Sequence, residues 1–231
     1  MKNIIILLIL LLAVIIKATA QKVQSRPFTE SLMPDSCSFT TFGRNTYFIL
    51  EPYYQQTLQG NEGADTVTLI ITVLNETRKI GVVETRIVEE RELVNGKPIE
   101  ISRNFFAFCK QTGSIYYFGE EVDMYKNEKI VSHDGAWIAG GNNKPGVIMP
   151  GLILLGSRYY QEMAPAVAMD RAEILSMTET MKTLAGHFTN VLKTEETTPI
   201  EPKNKEYKYY APGVGLIKDG DLMLMKYGFV K

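Results

Sequence analysis

The chain has 231 residues, with 25 Lys and Arg against 26 Asp and Glu, and only two histidines, two cysteines and one tryptophan. A balance this close to neutral, with no basic tract, argues against a nucleic-acid partner. So few histidines and cysteines leave little material for a metal centre or for His-based catalysis.

At the N-terminus, Lys2 precedes an apolar run from Ile4 to Ile16, and Ala18-Thr19-Ala20 follows. A positive start, an apolar core and an A-x-A site predict a secretory signal peptide over residues 1–20. The run is shorter than the roughly 20 residues a permanent spanning helix needs. No later apolar segment is longer, so no permanent transmembrane segment is expected after cleavage. The expected mature chain has 211 residues and a net charge of −3, and it is exported to the periplasm or the extracellular space. Residues 21–43, with Pro27 and Pro34, read as an N-terminal arm, and residues 44–231 as a single β-rich domain. Cys37 and Cys109 either pair, worth roughly 4 kcal/mol in the loop-entropy account, or stay as two thiols with Cys109 buried.

Beyond the arm, strand signals dominate. Tyr47–Glu51 is a short β-prone run. Asp65–Leu74 is rich in Val, Ile and Thr on a period of two, Asn75–Arg78 reads as a turn, and Ile80–Leu93 as a long strand. Asn95-Gly96 is the strongest hairpin signal, since both residues tolerate positive φ, and Pro98–Cys109 returns from it. Thr112-Gly113 turns the chain into Ser114–Glu121, and Asn127 into Lys129–Ser132. Arg158–Met163 and Ala172–Thr180 look extended, although Ala166–Met177 also suits a short helix. Phe188–Thr194, Lys205–Ala211, Gly215–Lys218 and Leu222–Phe229 close the chain. About a dozen short strands with turns between them predict an all-β antiparallel meander, folded as a sandwich or a half-open barrel. Aromatic side chains fall on both faces of Phe105–Phe108 and Tyr116–Phe118, so both faces must be covered.

From Ser114 onward, the pieces SIYYFGEE, HDGAWIAG, KPGVIMPG, SRYYQEM, LAGHFTNVLKTEETTPIEP and KYYAPGVGLIKDG follow one another. In that order they resemble a family of exported bacterial β-rich proteins of uncharacterised function, over about half the chain. YYAPGVGL is the most specific piece. The resemblance implies an extracytoplasmic β domain and brings no catalytic residues. At the level of architecture alone, the pattern is similar to half-open barrels of the lipoprotein-carrier type.

The glycine-rich stretch His133–Gly151 reads as a flap over one end of the domain. Trp137 and Met149 would be its fixed ends and Gly140–Lys144 its tip. His133-Asp134 is better explained by a turn, with the Trp137 indole buried and its N–H on backbone, than by a general base. His187 falls at an exposed turn. No nucleophile elbow, phosphate loop, cofactor motif or metal-ligand spacing occurs, so no catalytic residue, cofactor or metal is assigned. Strand alternation puts Arg158, Tyr160 and Glu162 on one face beside an apolar stretch, as small-molecule sites require. The candidate ligand-binding residues are therefore Trp137, Met149, Arg158, Tyr160 and Glu162. The expected function is an exported, non-enzymatic domain binding an apolar or amphipathic small molecule or a partner surface. The alternatives are an envelope interaction protein without a cavity, and a hydrolase in which two of Glu120, Glu121, Glu162, Glu195 and Glu201 converge.

Overall fold

The computed structural model describes residues 26–230; the expected signal peptide lies outside the described residues. A single 3-10 turn at Pro34–Ser36 precedes eighteen strands. They are β1 (Phe39–Thr40), β2 (Gly43–Asn45), β3 (Phe48–Leu50), β4 (Tyr54–Glu62), β5 (Asp65–Ile80) and β6 (Val83–Val94). Next come β7 (Lys97–Cys109), β8 (Ile115–Lys126), β9 (Lys129–Ser132), β10 (Trp137–Ile138), β11 (Lys144–Met149) and β12 (Arg158–Tyr160). The last six are β13 (Glu162–Met163), β14 (Arg171–Thr183), β15 (Gly186–Thr197), β16 (Lys205–Ala211), β17 (Gly215–Asp219) and β18 (Leu222–Phe229).

Thirteen of these strands form one continuous path in the order β12-β14-β15-β16-β17-β18-β4-β5-β6-β7-β8-β11-β13, every pairing antiparallel. The two outermost strands, β12 and β13, are neighbours in sequence, separated by Gln161 alone. The sheet's edges therefore meet at one short stretch of chain, and the meander is a nearly closed barrel. At this seam both Gln161 N–H and Glu162 N–H donate to Asp170 O, at 2.7 and 3.0 Å. That doubled contact breaks strand alternation.

Both faces of the aromatic strands are covered, by different things. Inside, Phe106 and Tyr117 stack at 4.7 Å. Outside, the N-terminal arm lies on the barrel wall. Phe39 packs edge-on against Tyr116 and Phe118 at 5.2 and 5.3 Å, β1 pairs with β7, and Thr29 bridges Tyr159. Cys37 and Cys109 form a disulfide with 5.2 Å between their Cα atoms, which closes the alternative left open by the sequence. The β2–β3 hairpin plugs one end of the barrel. Asn45 Nδ2 donates to Gly113 O and Pro150 O, Tyr47 Oη donates to Asn190 O, and Gly213 N–H donates to Thr46 O. These partners come from opposite sides of the barrel wall.

Three expectations need correction. Asn75–Arg78 is no turn: β5 runs through it with a register shift between Val73 and Thr77. Arg86, only 6 % exposed, satisfies the carbonyls this shift frees, donating to Leu74 O and Glu76 O, and also to Thr41 O of the arm. Ala166–Met177 holds no helix; its second half opens β14. His133–Gly151 is wall rather than flap, because β10 and β11 both pair with β8. Gly119 makes that possible: at φ +127° it lies so close to Trp137 O that a Cβ there would sit 2.3 Å from it.

Candidate functional site

The barrel encloses a cavity of about 290 Å³. Strand register orders its wall in layers. Nearest the plug, Phe106 lies opposite Tyr117, with Phe48 of the plug 5.4 Å from Phe106. The next layer holds Val73, Val88, Asn104 and Glu120 as successive cross-strand partners. Beyond it come Gln56, Ile71, Glu90 and Ser102. Glu100, paired across the strands with Glu92, lines the layer farthest from the plug. The wall thus changes from aromatic at the plugged end, through two layers that mix aliphatic side chains with Glu120 and Glu90, to acidic at the other. The opposite side of the barrel supplies Glu196, Lys208 and Asp219, and the seam supplies Gln161 and Glu162, with Asp170 beside it.

The charges on this wall are unequal. Seven carboxylates line it: Glu90, Glu100, Glu120, Glu162, Asp170, Glu196 and Asp219. Among the described residues Lys208 is the one cationic side chain there, and it is taken up by Glu196 at 3.1 Å and Asp219 at 3.6 Å. Burial works against the charged form of Lys208, yet Asp219 and Glu196 overcome it and hold the ammonium well above the usual lysine range. For the carboxyls, burial pushes in the same direction as their neighbours. Burial raises Glu90 to about 7, with Lys208 opposing. It raises Glu120 strongly, with Glu162 adding to the effect, and it raises Glu162, with Asp170 adding. Glu92 and Glu100 are raised by burial too. A carboxyl without a cation in a low-dielectric interior keeps its proton.

Hydrogen bonds on the wall are mostly internal. Tyr117 Oη donates to Asn104 Oδ1, and Asn104 Nδ2 reaches Ser102 Oγ at 3.2 Å and Val88 O at 3.3 Å. Gln161, 3 % exposed, donates from Nε2 to Glu196 Oε1 at 3.0 Å, while its amide oxygen meets no donor in the protein. A flipped amide would turn that oxygen onto the Glu196 carboxylate, so the orientation is fixed by charge.

The five residues expected at a site separate into two groups and a loner. Trp137 and Glu162 come together: Trp137 Nε1 donates to Glu162 Oε1 at 3.3 Å, with the indole edge-on to Tyr117 at 5.4 Å. The indole's partner is therefore a cavity carboxylate, not the backbone expected from sequence. Arg158 and Tyr160 instead face the arm. Arg158 sits 4.0 Å over the Phe28 ring and pairs with Glu173 at 3.2 Å, and Tyr160 packs on the same ring at 5.9 Å. The doubled contact at the seam explains the split, because Glu162 turns inward where alternation would have kept it beside Tyr160. Met149 is 1 % exposed in the packed core, and its neighbour Ile148 lines the cavity. Of the acidic candidates, Glu120 and Glu162 reach the cavity. Glu121 instead pairs with Arg78, Glu195 pairs with Lys205, and Glu201 is exposed. His133 and His187 lie away from it, His133 Nδ1 resting 2.7 Å from Val122 O.

Among the described residues no group of three His, Cys, Asp or Glu side chains is placed to hold a metal ion. No protein family, curated protein or solved structure matches the chain.

Proposed function

We propose that this is an exported, non-enzymatic binding domain whose barrel holds a small amphipathic molecule. The observation that carries the reading is the barrel's cavity, aromatic at its plugged end and acidic at its far end. Such a wall orients a ligand lengthwise, its apolar part against Phe106 and Val88 and its polar part toward Glu90 and Glu100. The Cys37–Cys109 bridge and the A-x-A leader pattern support an oxidising, extracytoplasmic setting. Among the described residues no helix is long and apolar enough to cross a membrane. Convergence of Glu120 and Glu162 favours the hydrolytic alternative, but burial drives both toward the neutral acid. At neutral pH Glu120 holds its proton while Glu162 is partly ionised, so hydrolysis stands as the second reading.

Native mass spectrometry of the mature protein, purified from its host's extracytoplasmic fraction, tests the reading. The expected result is an added mass that disappears on denaturation and is absent from Val88→Trp, whose indole fills the cavity. A bare monomer or a symmetric oligomer in every preparation overturns it in favour of an interaction protein.

A further inference from the structure

Resting on the binding reading, we propose that the cavity's ligand is a small organic cation, an amine or amidine on a short apolar arm, held by Glu90, Glu120, Glu162 and the Gln161 amide. The wall favours a positive partner. Its one lysine is already bridged to Glu196 and Asp219, which leaves Glu90, Glu100, Glu120, Glu162 and Asp170 without a cation. With a neutral or anionic head these carboxyls simply keep their protons, whereas an ammonium ion lets them ionise and meets them with charge-assisted hydrogen bonds.

An independent observation points the same way. Gln161 lines the cavity, is buried, and has its Nε2 committed to Glu196, so its oxygen is an acceptor waiting for a donor. A buried acceptor of this kind is costly to leave without a hydrogen bond. A carboxylate ligand has no hydrogen to offer it; an ammonium has three, enough for this oxygen and two carboxylates. A bare metal ion is the wrong cation, since no three acidic groups are gathered at coordinating geometry among the described residues. Carboxylates spread over several strands suit a head whose donors diverge. The arm follows from the apolar side chains interleaved with these carboxyls, Ile71, Val73 and Val88, and from Phe106 toward the plug. A volume of about 290 Å³ takes a molecule of roughly ten non-hydrogen atoms.

Titration calorimetry on the mature protein with three probes of one shape tests this: phenethylamine, phenethyl alcohol and phenylacetate. The amine is expected to bind at least about tenfold more tightly than the alcohol, and phenylacetate not at all. In the double variant Glu90→Gln with Glu162→Gln, the amine should lose about tenfold more affinity than the alcohol does. Binding of alcohol or acid as tightly as the amine overturns the cation and leaves the vessel standing. Failure of all three probes to bind overturns both. The comparison of probes on the native sequence stands even where the variant folds poorly.

Discussion

Burial pushes the Glu90 carboxyl up to about 7, so the folded protein holds a proton there that the unfolded chain, near 4.5, has already released. Stability from this group is complete below pH 4.5 and is lost as pH rises through 7. Glu120 and Glu162 act in the same direction. The groups facing Glu90 divide: Lys208 favours its charged form, while Asp219, Glu100 and Glu196 oppose it. Urea unfolding of ligand-free protein should therefore show lower stability at pH 8 than at pH 5, by on the order of 2 kcal/mol for Glu90 alone. Glu90→Gln should flatten the fall; an equal slope in the variant would remove Glu90 as its cause. Little of this was legible in the sequence. Glu90 and Glu100 look like the solvated positions of a hairpin, because strand alternation cannot say which face is inside when both faces are covered. Glu162 was legible from its place beside an apolar stretch, but Gln161 was not. Gln161 takes the inner face by plain alternation, opposite Arg158 and Tyr160, and was hidden because that face could not be known as the inner one. The inward turn of Glu162 depends on two N–H groups sharing the Asp170 carbonyl, a contact no local pattern encodes.

Among the elements, the seam is the most exacting. Gly146 of β11 approaches Gln161 so closely that a Cβ would lie 1.9 Å from its carbonyl oxygen. Gly146→Ala must push two backbones apart. It should cost on the order of 3 kcal/mol and should also weaken phenethylamine binding, since Gln161 moves with the seam. Thermal melts and the same titration read both effects, and an unchanged melt would mean that the seam yields freely. Hairpins carried by a turn signal were legible: Asn95-Gly96 and Asn127 fall between strands β6 and β7, and β8 and β9. The β10–β11 wall was not, because Gly119 of a distant strand, rather than anything within His133–Gly151, lets that segment pair. The bulge at Val73–Thr77 was misread for a similar reason. Its polar residues suggest a turn, and the Arg86 that allows the strand to continue lies on its neighbour.

At the scale of the whole molecule, the all-β meander was legible and its closure was not, since closure depends on which strands pair rather than on where they lie. The arm is part of the wall's outer layer, and the disulfide ties it down across 72 residues of sequence. A loop of that length gives roughly 4 kcal/mol in the loop-entropy account. Cys37→Ser with Cys109→Ser should lower the melting temperature by on the order of 10 °C, with the barrel's circular dichroism retained below the transition. A melt that does not move would show the arm held by its packing and hydrogen bonds without the bridge.

The pairing of β18 with β4 joins Leu222–Phe229 to Tyr54–Glu62. The first long strand thus waits for the last one, and until the final residues arrive it carries a bare edge, the kind of edge that recruits other chains. A barrel built this way cannot be finished in part. Loss of Leu222–Phe229 would bare β17 and β4 together, two edges opened by the removal of one strand.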